Sequence, residues 1–146
     1  MPTIFTIGFT KKSLRDFVEI LRREGVKRVI DVRLRNTSQL AGWSKQPDFA
    51  YLLEAGFGLA YEHHPEFAPT DELLDAYKKD HDWARYEERF NLLIIAERRP
   101  EAEARELLQK DSICLLCTEP QADKCHRRLV ANYLQSLATE FEVKHL

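Results

Sequence analysis

Residues 112–137 read SICLLCTEPQADKCHRRLVANYLQSL and join a short apolar run to an amphipathic run. The apolar run, 113–116, is typical of a buried strand. Beyond it, apolar residues recur at helical spacing from Leu129 to Leu137 and predict a helix. The intervening turn holds two thiols, two carboxylates, an imidazole and two guanidinium groups. Because ligands bind at the carboxyl ends of strands in open α/β sheets, this turn predicts a functional site.

Similar alternation of strand-like and helix-like runs extends over the whole chain. Strands are predicted at 3–7, 28–32, 59–63 and 112–117, with a fifth expected at 142–145. Helices are predicted from Ser13 to Gly25, from Asp48 to Gly56, and as an insert of several helices between the third and fourth strands. The pattern predicts a single three-layer α/β domain over 1–146, with a mainly parallel four- to five-stranded sheet and helices on both faces.

The composition limits the classes of function. The chain has 146 residues, 44% hydrophobic and 32% charged, with a formal net charge of −2. That charge disfavours nucleic acid as a partner, since strong non-specific binding needs a basic surface. No apolar run approaches the roughly 20 residues needed to cross a bilayer, so no membrane partner is expected. Three cysteines without a recognisable signal peptide favour a cytoplasmic protein with free thiols.

Polar side chains follow the predicted strands, and parallel pairing would bring those strand ends to one edge of the sheet. The catalytic candidates are Cys117, Glu119 and His126. The candidate substrate-binding residues are Gly8, Thr10, Asp31, Arg33, Ser38, Lys45, His63, Glu66, Cys125 and Arg127. Two of these, Ser38 and Lys45, lie in a polar loop over 34–47, and loops of that length are often binding loops.

The chemistry expected at the turn is anion binding or thiol activation. Asp123 is predicted to cap the last helix, which would place Cys125 and His126 in its first turn. The partial positive charge there favours a phosphate-like group or a thiolate. Arg127 would add a bidentate contact to an anion. Cys114, inside the apolar strand, is interpreted as an ordinary buried residue, and packing alone is the alternative interpretation of Cys117 and Cys125.

Four short motifs together resemble the domain of unknown function 488 family. In chain order, the first three motifs are T-I-G from Thr6, D-V-R from Asp31 and Y-x-H-x-P-E from Tyr61. The fourth motif is C-x-E-x5-C-H-R, which begins at Cys117. The family often has histidine where this chain has Phe9. The resemblance implies a compact α/β domain whose polar motifs gather at one site, and it implies no particular reaction.

Three functional hypotheses follow, and whether the protein is an enzyme stays open among them. The first is a cysteine-dependent hydrolase or transferase acting on a small anionic or phosphate-bearing substrate, with Cys117 as nucleophile, Glu119 or His126 transferring protons, and Asp31 orienting Arg33. The second is a non-catalytic module that binds nucleotide or nucleic-acid phosphate. The third is a metal- or redox-sensing protein that uses Cys117, Cys125 and His126. The leading hypothesis assigns no metal ligand, and cofactors and oligomeric state are left unassigned.

Overall fold

Five parallel strands make one sheet. The computed structural model describes residues 2–35, 42–119 and 121–146. Its strands are β1 (Thr3–Gly8), β2 (Arg28–Asp31), β3 (Ala60–His63), β4 (Ile113–Cys117) and β5 (Glu142–His145). They lie in the order β3-β2-β4-β1-β5, and every neighbouring pair is parallel. The predicted sheet and its fifth strand are therefore confirmed.

The helices follow the predicted pattern. They are α1 (Leu14–Arg23), α2 (Asp48–Tyr51), α3 (Asp71–Asp80), α4 (Trp83–Leu92), α5 (Glu101–Leu108) and α6 (His126–Leu137). Two of them continue as π-helical segments, α2 into Leu52–Gly56 and α4 into Leu93–Arg98. Capping side chains set the starts of α1 and α3, because Ser13 Oγ accepts the amide hydrogen of Asp16 and Thr70 Oγ1 that of Leu73. No described helix is long and apolar enough to span a membrane.

The helices cover both faces of the sheet, which makes three layers. Apolar residues of α1 and α2, such as Phe17 and Phe49, pack on one face with Val29 and Leu116. Residues of α3 to α6 pack on the other face, around Leu115. The chain places helices on the first face while it steps from β1 through β2 to β3, and on the second after it turns back to β4 and β5. This change of face with direction is what crossovers of one hand require.

The strand β4 lies at the centre of the sheet, and all five of its residues are buried. Its side chains alternate between the two cores, so that Cys114 packs with the α1 side and Cys117 with the α6 side. Cys114 is fully buried, as its sequence position predicted. A parallel strand covered on both faces reads as a continuous apolar run, which explains why 113–116 carries no polar residue.

Candidate functional site

The candidate site lies at the carboxyl edge of the sheet. Parallel pairing brings Gly8, Asp31, His63 and Cys117 to this edge, each at the end of its strand. Here β4 lies between β1 and β2, and the helices that follow β1 and β4 pack on opposite faces. A crevice between neighbouring strands whose connections leave to opposite faces is the usual ligand position in open α/β sheets.

Two cysteines and a histidine converge beside the end of β4. Cys117 ends the strand and is 1% exposed, and Cys125, the residue immediately before α6, is 4% exposed. Their sulfur atoms are in contact, and their Cα atoms lie 7.8 Å apart. His126 Nδ1 lies 4.0 Å from Cys125 Sγ. The two sulfur atoms and one ring nitrogen of His126 all lie within 4.8 Å of one another.

The hydrogen bond of His126 defines which ring nitrogen carries the proton. Nε2 lies 2.7 Å from the carbonyl oxygen of Val32. Since a carbonyl oxygen only accepts, Nε2–H donates, and in the neutral ring the Nδ1 lone pair is left toward Cys125. Burial lowers the pKa of His126 to about 4; the Arg127 charge adds to that shift, while the Val32 hydrogen bond and Asp31 oppose it. The imidazole is therefore neutral at pH 7.

Arg127 lies beneath this cluster and is fully buried. Its Nη1 donates to Cys117 Sγ at 3.2 Å and to the carbonyl oxygen of Glu119, and its Nε donates to Thr6 Oγ1 at 3.2 Å. Of these three partners only the Cys117 sulfur can carry a negative charge. A direct contact with a guanidinium favours the thiolate form of a cysteine, whereas burial opposes it.

Gly8 permits the close approach of the turn that follows β4. A Cβ atom at this position would lie 1.5 Å from the Glu119 carbonyl oxygen and 3.0 Å from Arg127 Nη1. The neighbouring Thr10 holds the same turn, because its backbone N–H and its hydroxyl both donate to the Thr118 carbonyl oxygen. Gly8 and Thr10, predicted to bind substrate, therefore contact the protein's own backbone.

Asp31 and Arg33 form a buried ion pair on the α1 side of the edge. Arg33 Nε donates to Asp31 Oδ1 at 2.8 Å and Nη2 donates to Oδ2 at 2.7 Å, and the Tyr61 hydroxyl also donates to Asp31. The guanidinium carbon lies 5.1 Å from the centre of the Phe9 ring and 5.7 Å from that of Phe49. These contacts agree with the interpretation that Asp31 orients Arg33.

One nitrogen of that pair lacks a hydrogen-bond partner in the described part of the chain. Arg33 is 3% exposed, and its Nη1 has no hydrogen-bond partner within 2–35, 42–119 and 121–146. The histidine at the end of β3 holds the backbone nearby, since His63 Nε2 lies 2.9 Å from the Arg33 carbonyl oxygen.

The remaining candidates lie apart from the cysteine cluster in their contacts. Glu66 pairs with His64, whose ring also contacts Glu62. Glu119 is exposed and reaches the cluster through its carbonyl oxygen, and the half-buried Lys45 precedes α2. Ser38 lies outside the described residues.

One expectation for the turn needs correction. Asp123 does not cap α6, because Cys125 is the capping residue and makes no side-chain capping bond. Asp123 is exposed, and its carbonyl oxygen accepts from Arg128 Nε at 3.1 Å. Arg127, for which an anion contact is predicted, is buried and contacts Thr6, Cys117 and Glu119 within the protein. The sequence signal for the helix start was ambiguous, since Asp123 and Cys125 are only two residues apart.

Sequence reasoning missed two partners in the site. Thr6 entered only as the first residue of the T-I-G motif, although alternation in β1 places it on the α6 side with Ile4, where its hydroxyl accepts from Arg127. Tyr61 entered only as part of a motif, and its hydroxyl contacts Asp31 through the pairing of β2 with β3. Strand order, which links these residues, is not readable from local pattern.

The comparisons with known proteins point to one family. The profile of the family described as Domain of unknown function DUF488 matches residues 13–134. Neither the curated proteins nor the solved structures searched include a significant match to this chain.

Proposed function

The chain belongs to the DUF488 family, and from that premise we propose that it is a redox-responsive thiol protein in which Cys117 and Cys125 interconvert between a dithiol and a disulfide. The observation that carries the proposal is the convergence of two buried cysteines at the carboxyl edge of the sheet, with their sulfur atoms within 4.8 Å of each other. Cys125 begins α6, so a bond between the sulfurs joins that helix to the central strand.

Arg127 supplies the reason for assigning the first step to Cys117. The thiolate is the reactive form of cysteine, and Arg127 Nη1 donates to Cys117 Sγ at 3.2 Å. The guanidinium stays charged at neutral pH, and its attraction for a thiolate is stronger in a buried site than in water. We infer that this attraction outweighs the burial of Cys117. Cys125, with no guanidinium contact among the described hydrogen bonds, is then the resolving thiol.

The proposed chemistry uses a peroxide as oxidant. The Cys117 thiolate attacks one peroxide oxygen, the O–O bond breaks, and the products are a sulfenic acid at Cys117 and hydroxide. The Cys125 thiol then attacks the Cys117 sulfur, and the S–S bond forms as the sulfenic oxygen leaves as water. A dithiol reductant restores both thiols by exchange. The two cysteines together supply the two electrons that reduce the peroxide.

The hydrolase or transferase hypothesis takes second place on two grounds. A phosphate-bearing substrate is much larger than hydrogen peroxide, and its reacting atom would have to reach Cys117, which is 1% exposed. Arg127, which was to hold the anion, is engaged within the protein. The observation that still favours an anionic ligand at this edge is the unpartnered Nη1 of Arg33 among the described residues.

The test is a peroxide titration of the reduced protein. Free thiols are blocked with iodoacetamide after each addition, and mass spectrometry then identifies which cysteines are alkylated. We expect Cys117 and Cys125 to lose alkylation together, with the loss of two hydrogen atoms from the chain and recovery on reduction. Cys117→Ser and Cys125→Ser should each abolish this change, whereas Cys114→Ala, a variant of the third cysteine, should keep it.

The contrary result is equally clear. An unfolded sample of the same chain shows the peroxide concentration that oxidises free cysteines. If Cys117 and Cys125 of the folded protein both remain alkylated at that concentration, the proposal is excluded. Stable oxidation of Cys117 to a sulfinic acid without formation of the pair would also exclude it, since Cys125 would not then be the resolving thiol.

A further inference from the structure

We propose that the reduced protein binds one Zn²⁺ ion through Cys117 Sγ, Cys125 Sγ and His126 Nδ1. This inference rests on the same thiol pair as the proposed function, and adds a metal ion as the ligand of its reduced state. The three residues come from the end of β4 and the start of α6, and their ligand atoms already lie within 4.8 Å of one another. Thiolate sulfur and imidazole nitrogen are the ligands that Zn²⁺ prefers.

The histidine is arranged as a metal ligand. Its Nε2–H is donated to the Val32 carbonyl oxygen at 2.7 Å, which leaves the Nδ1 lone pair toward the sulfurs. A hydrogen bond from the other ring nitrogen to a backbone carbonyl is the usual support of a zinc-bound histidine, because it fixes the tautomer and the ring orientation. Phe90, whose ring centre lies 5.8 Å from that of His126, packs against the imidazole.

Arg127 supports the thiolate ligand in a similar way. The N–H group that it donates to Cys117 Sγ is the kind of outer contact that orients a metal-bound thiolate. The charges of the site are also compatible with Zn²⁺. Two thiolates neutralise the divalent ion, and Arg127 keeps its hydrogen bond to Cys117 Sγ. The site is nearly closed to solvent, with Cys117 and Cys125 exposed by 1% and 4%.

The spacing of the two cysteines favours a bridging ion in the reduced state. Their Cα atoms are 7.8 Å apart, whereas disulfides usually span about 4.4–6.8 Å between Cα atoms, so formation of the disulfide would have to draw the start of α6 toward β4. A metal ion lengthens the bridge, because Zn–S bonds of about 2.3 Å in a tetrahedral site hold the two sulfurs roughly 3.8 Å apart. The backbone separation therefore suits a sulfur–metal–sulfur bridge.

The site would leave one coordination position open. Among the described residues, three side chains form the group and no fourth joins it. Two cysteines and one histidine with an open fourth position is a ligand set found in catalytic zinc sites, where water or substrate occupies the fourth position. Oxidation would release the metal, because zinc-bound dithiolate, peroxide and two protons yield the disulfide, free Zn²⁺ and two molecules of water.

Cobalt substitution provides the test. The full chain is reduced, freed of metal by a chelator and titrated anaerobically with Co²⁺. We expect one equivalent to produce thiolate-to-cobalt charge-transfer absorption in the near ultraviolet and strong visible d–d bands of tetrahedral coordination, and Zn²⁺ to displace it. His126→Ala should weaken Co²⁺ binding by more than the roughly 10- to 100-fold typical of losing an outer-shell partner. Cys114→Ala and His81→Asn serve as controls in which Co²⁺ binding should be unchanged, because Cys114 packs in the other core and His81 is exposed at the end of α3.

The outcome also separates this inference from the proposed function. Peroxide titration of the metal-free protein reports the disulfide alone, and cobalt absorption reports the metal site alone. Wild-type protein that forms the disulfide but gives no tetrahedral cobalt spectrum overturns the metal site and leaves the redox proposal standing. A tetrahedral spectrum with no disulfide formation does the reverse. Because wild-type protein decides both points, a variant that fails to fold does not affect the conclusion.

Discussion

Arg127 determines the chemical character of the site at the scale of single residues. It is among the largest fully buried side chains of the described residues, and it joins β1 through Thr6, β4 through Cys117 and the following turn through Glu119. A buried charge is stable only where hydrogen bonds and countercharge replace water. A thiolate at Cys117 would supply that countercharge, so the arginine and the cysteine stabilise each other.

Loss of this charge should slow the oxidation of Cys117. In the reduced, metal-free protein, Arg127→Met removes the cationic donor, and a change of about one pKa unit lowers the thiolate fraction roughly tenfold. We therefore expect an approximately tenfold slower reaction with peroxide at pH 7, measured by stopped alkylation and mass spectrometry. Arg128→Met is the matched control, because Arg128 contacts Glu87 and not the sulfur. Equal rates in the wild type and Arg127→Met, with native circular dichroism, would contradict the role.

Gly8 gives a second prediction at this scale. An added Cβ would lie 1.5 Å from the Glu119 carbonyl oxygen, and a backbone atom cannot move aside as a flexible side chain can. We expect Gly8→Ala to lower the free energy of unfolding by about 3 kcal/mol, the upper part of the range for overpacked sites. Urea denaturation measures this value. Gly56→Ala, whose Cβ would meet only Leu52 Cδ1 at 3.6 Å, should change stability by much less.

At the scale of elements, a group of ion pairs around Glu62 joins β2, β3 and the segment before β4. Glu62 in β3 contacts Arg28 of β2 at 2.5 Å, Lys110 at 2.8 Å and His64 at 2.9 Å. Burial acts to raise the pKa of Glu62, but the hydrogen bonds from Lys110 and His64 and the charges of Lys110 and Arg28 outweigh it and lower the pKa to about 2.

This group predicts a defined acid sensitivity. Because the folded-state pKa lies below the ordinary value of 4.5, the stabilisation is complete above about pH 4.5 and is lost as pH falls toward 2. Glu62→Gln should lower the free energy of unfolding at pH 7 by about 1 kcal/mol, a value reduced for solvent screening of a partly exposed group. The same substitution should also reduce the fall in the free energy of unfolding between about pH 4.5 and pH 2. Glu103→Gln, on the exposed surface of α5, is the control. If the free energy of unfolding falls equally steeply in acid for wild type and Glu62→Gln, Glu62 is not the source of the acid sensitivity.

At the scale of the whole molecule, the sheet order places the most protected strands at the centre. β4 is hydrogen bonded to β1 and β2, whereas β5 forms one edge and its residues are mainly exposed. Amides that open only on global unfolding exchange slowest. We expect native-state hydrogen exchange to be slowest in 113–117 and faster by orders of magnitude in 142–145, measured by mass spectrometry of peptides. Equal protection of both segments would contradict the observed sheet order.

The pattern of residues was enough to predict much of the fold. Alternation of apolar strands with amphipathic helices predicted the α/β class, because parallel strands buried on both faces need apolar residues throughout, as in 113–116. Strand ends also predicted the edge at which Asp31, His63 and Cys117 meet. Local signals failed at the start of α6, where Cys125 and not Asp123 is the capping residue.

The sequence by itself determined the elements and the edge of the sheet, because both depend on hydrophobic periodicity and on the short-range preferences of the chain. Only the tertiary structure decided which polar groups touch. The contact of Cys117 with Cys125, the burial of Arg127 against Thr6, and the hydrogen bond from His126 to Val32 join residues 8 to 121 positions apart. Such contacts depend on strand order and on packing between layers, which no local pattern encodes.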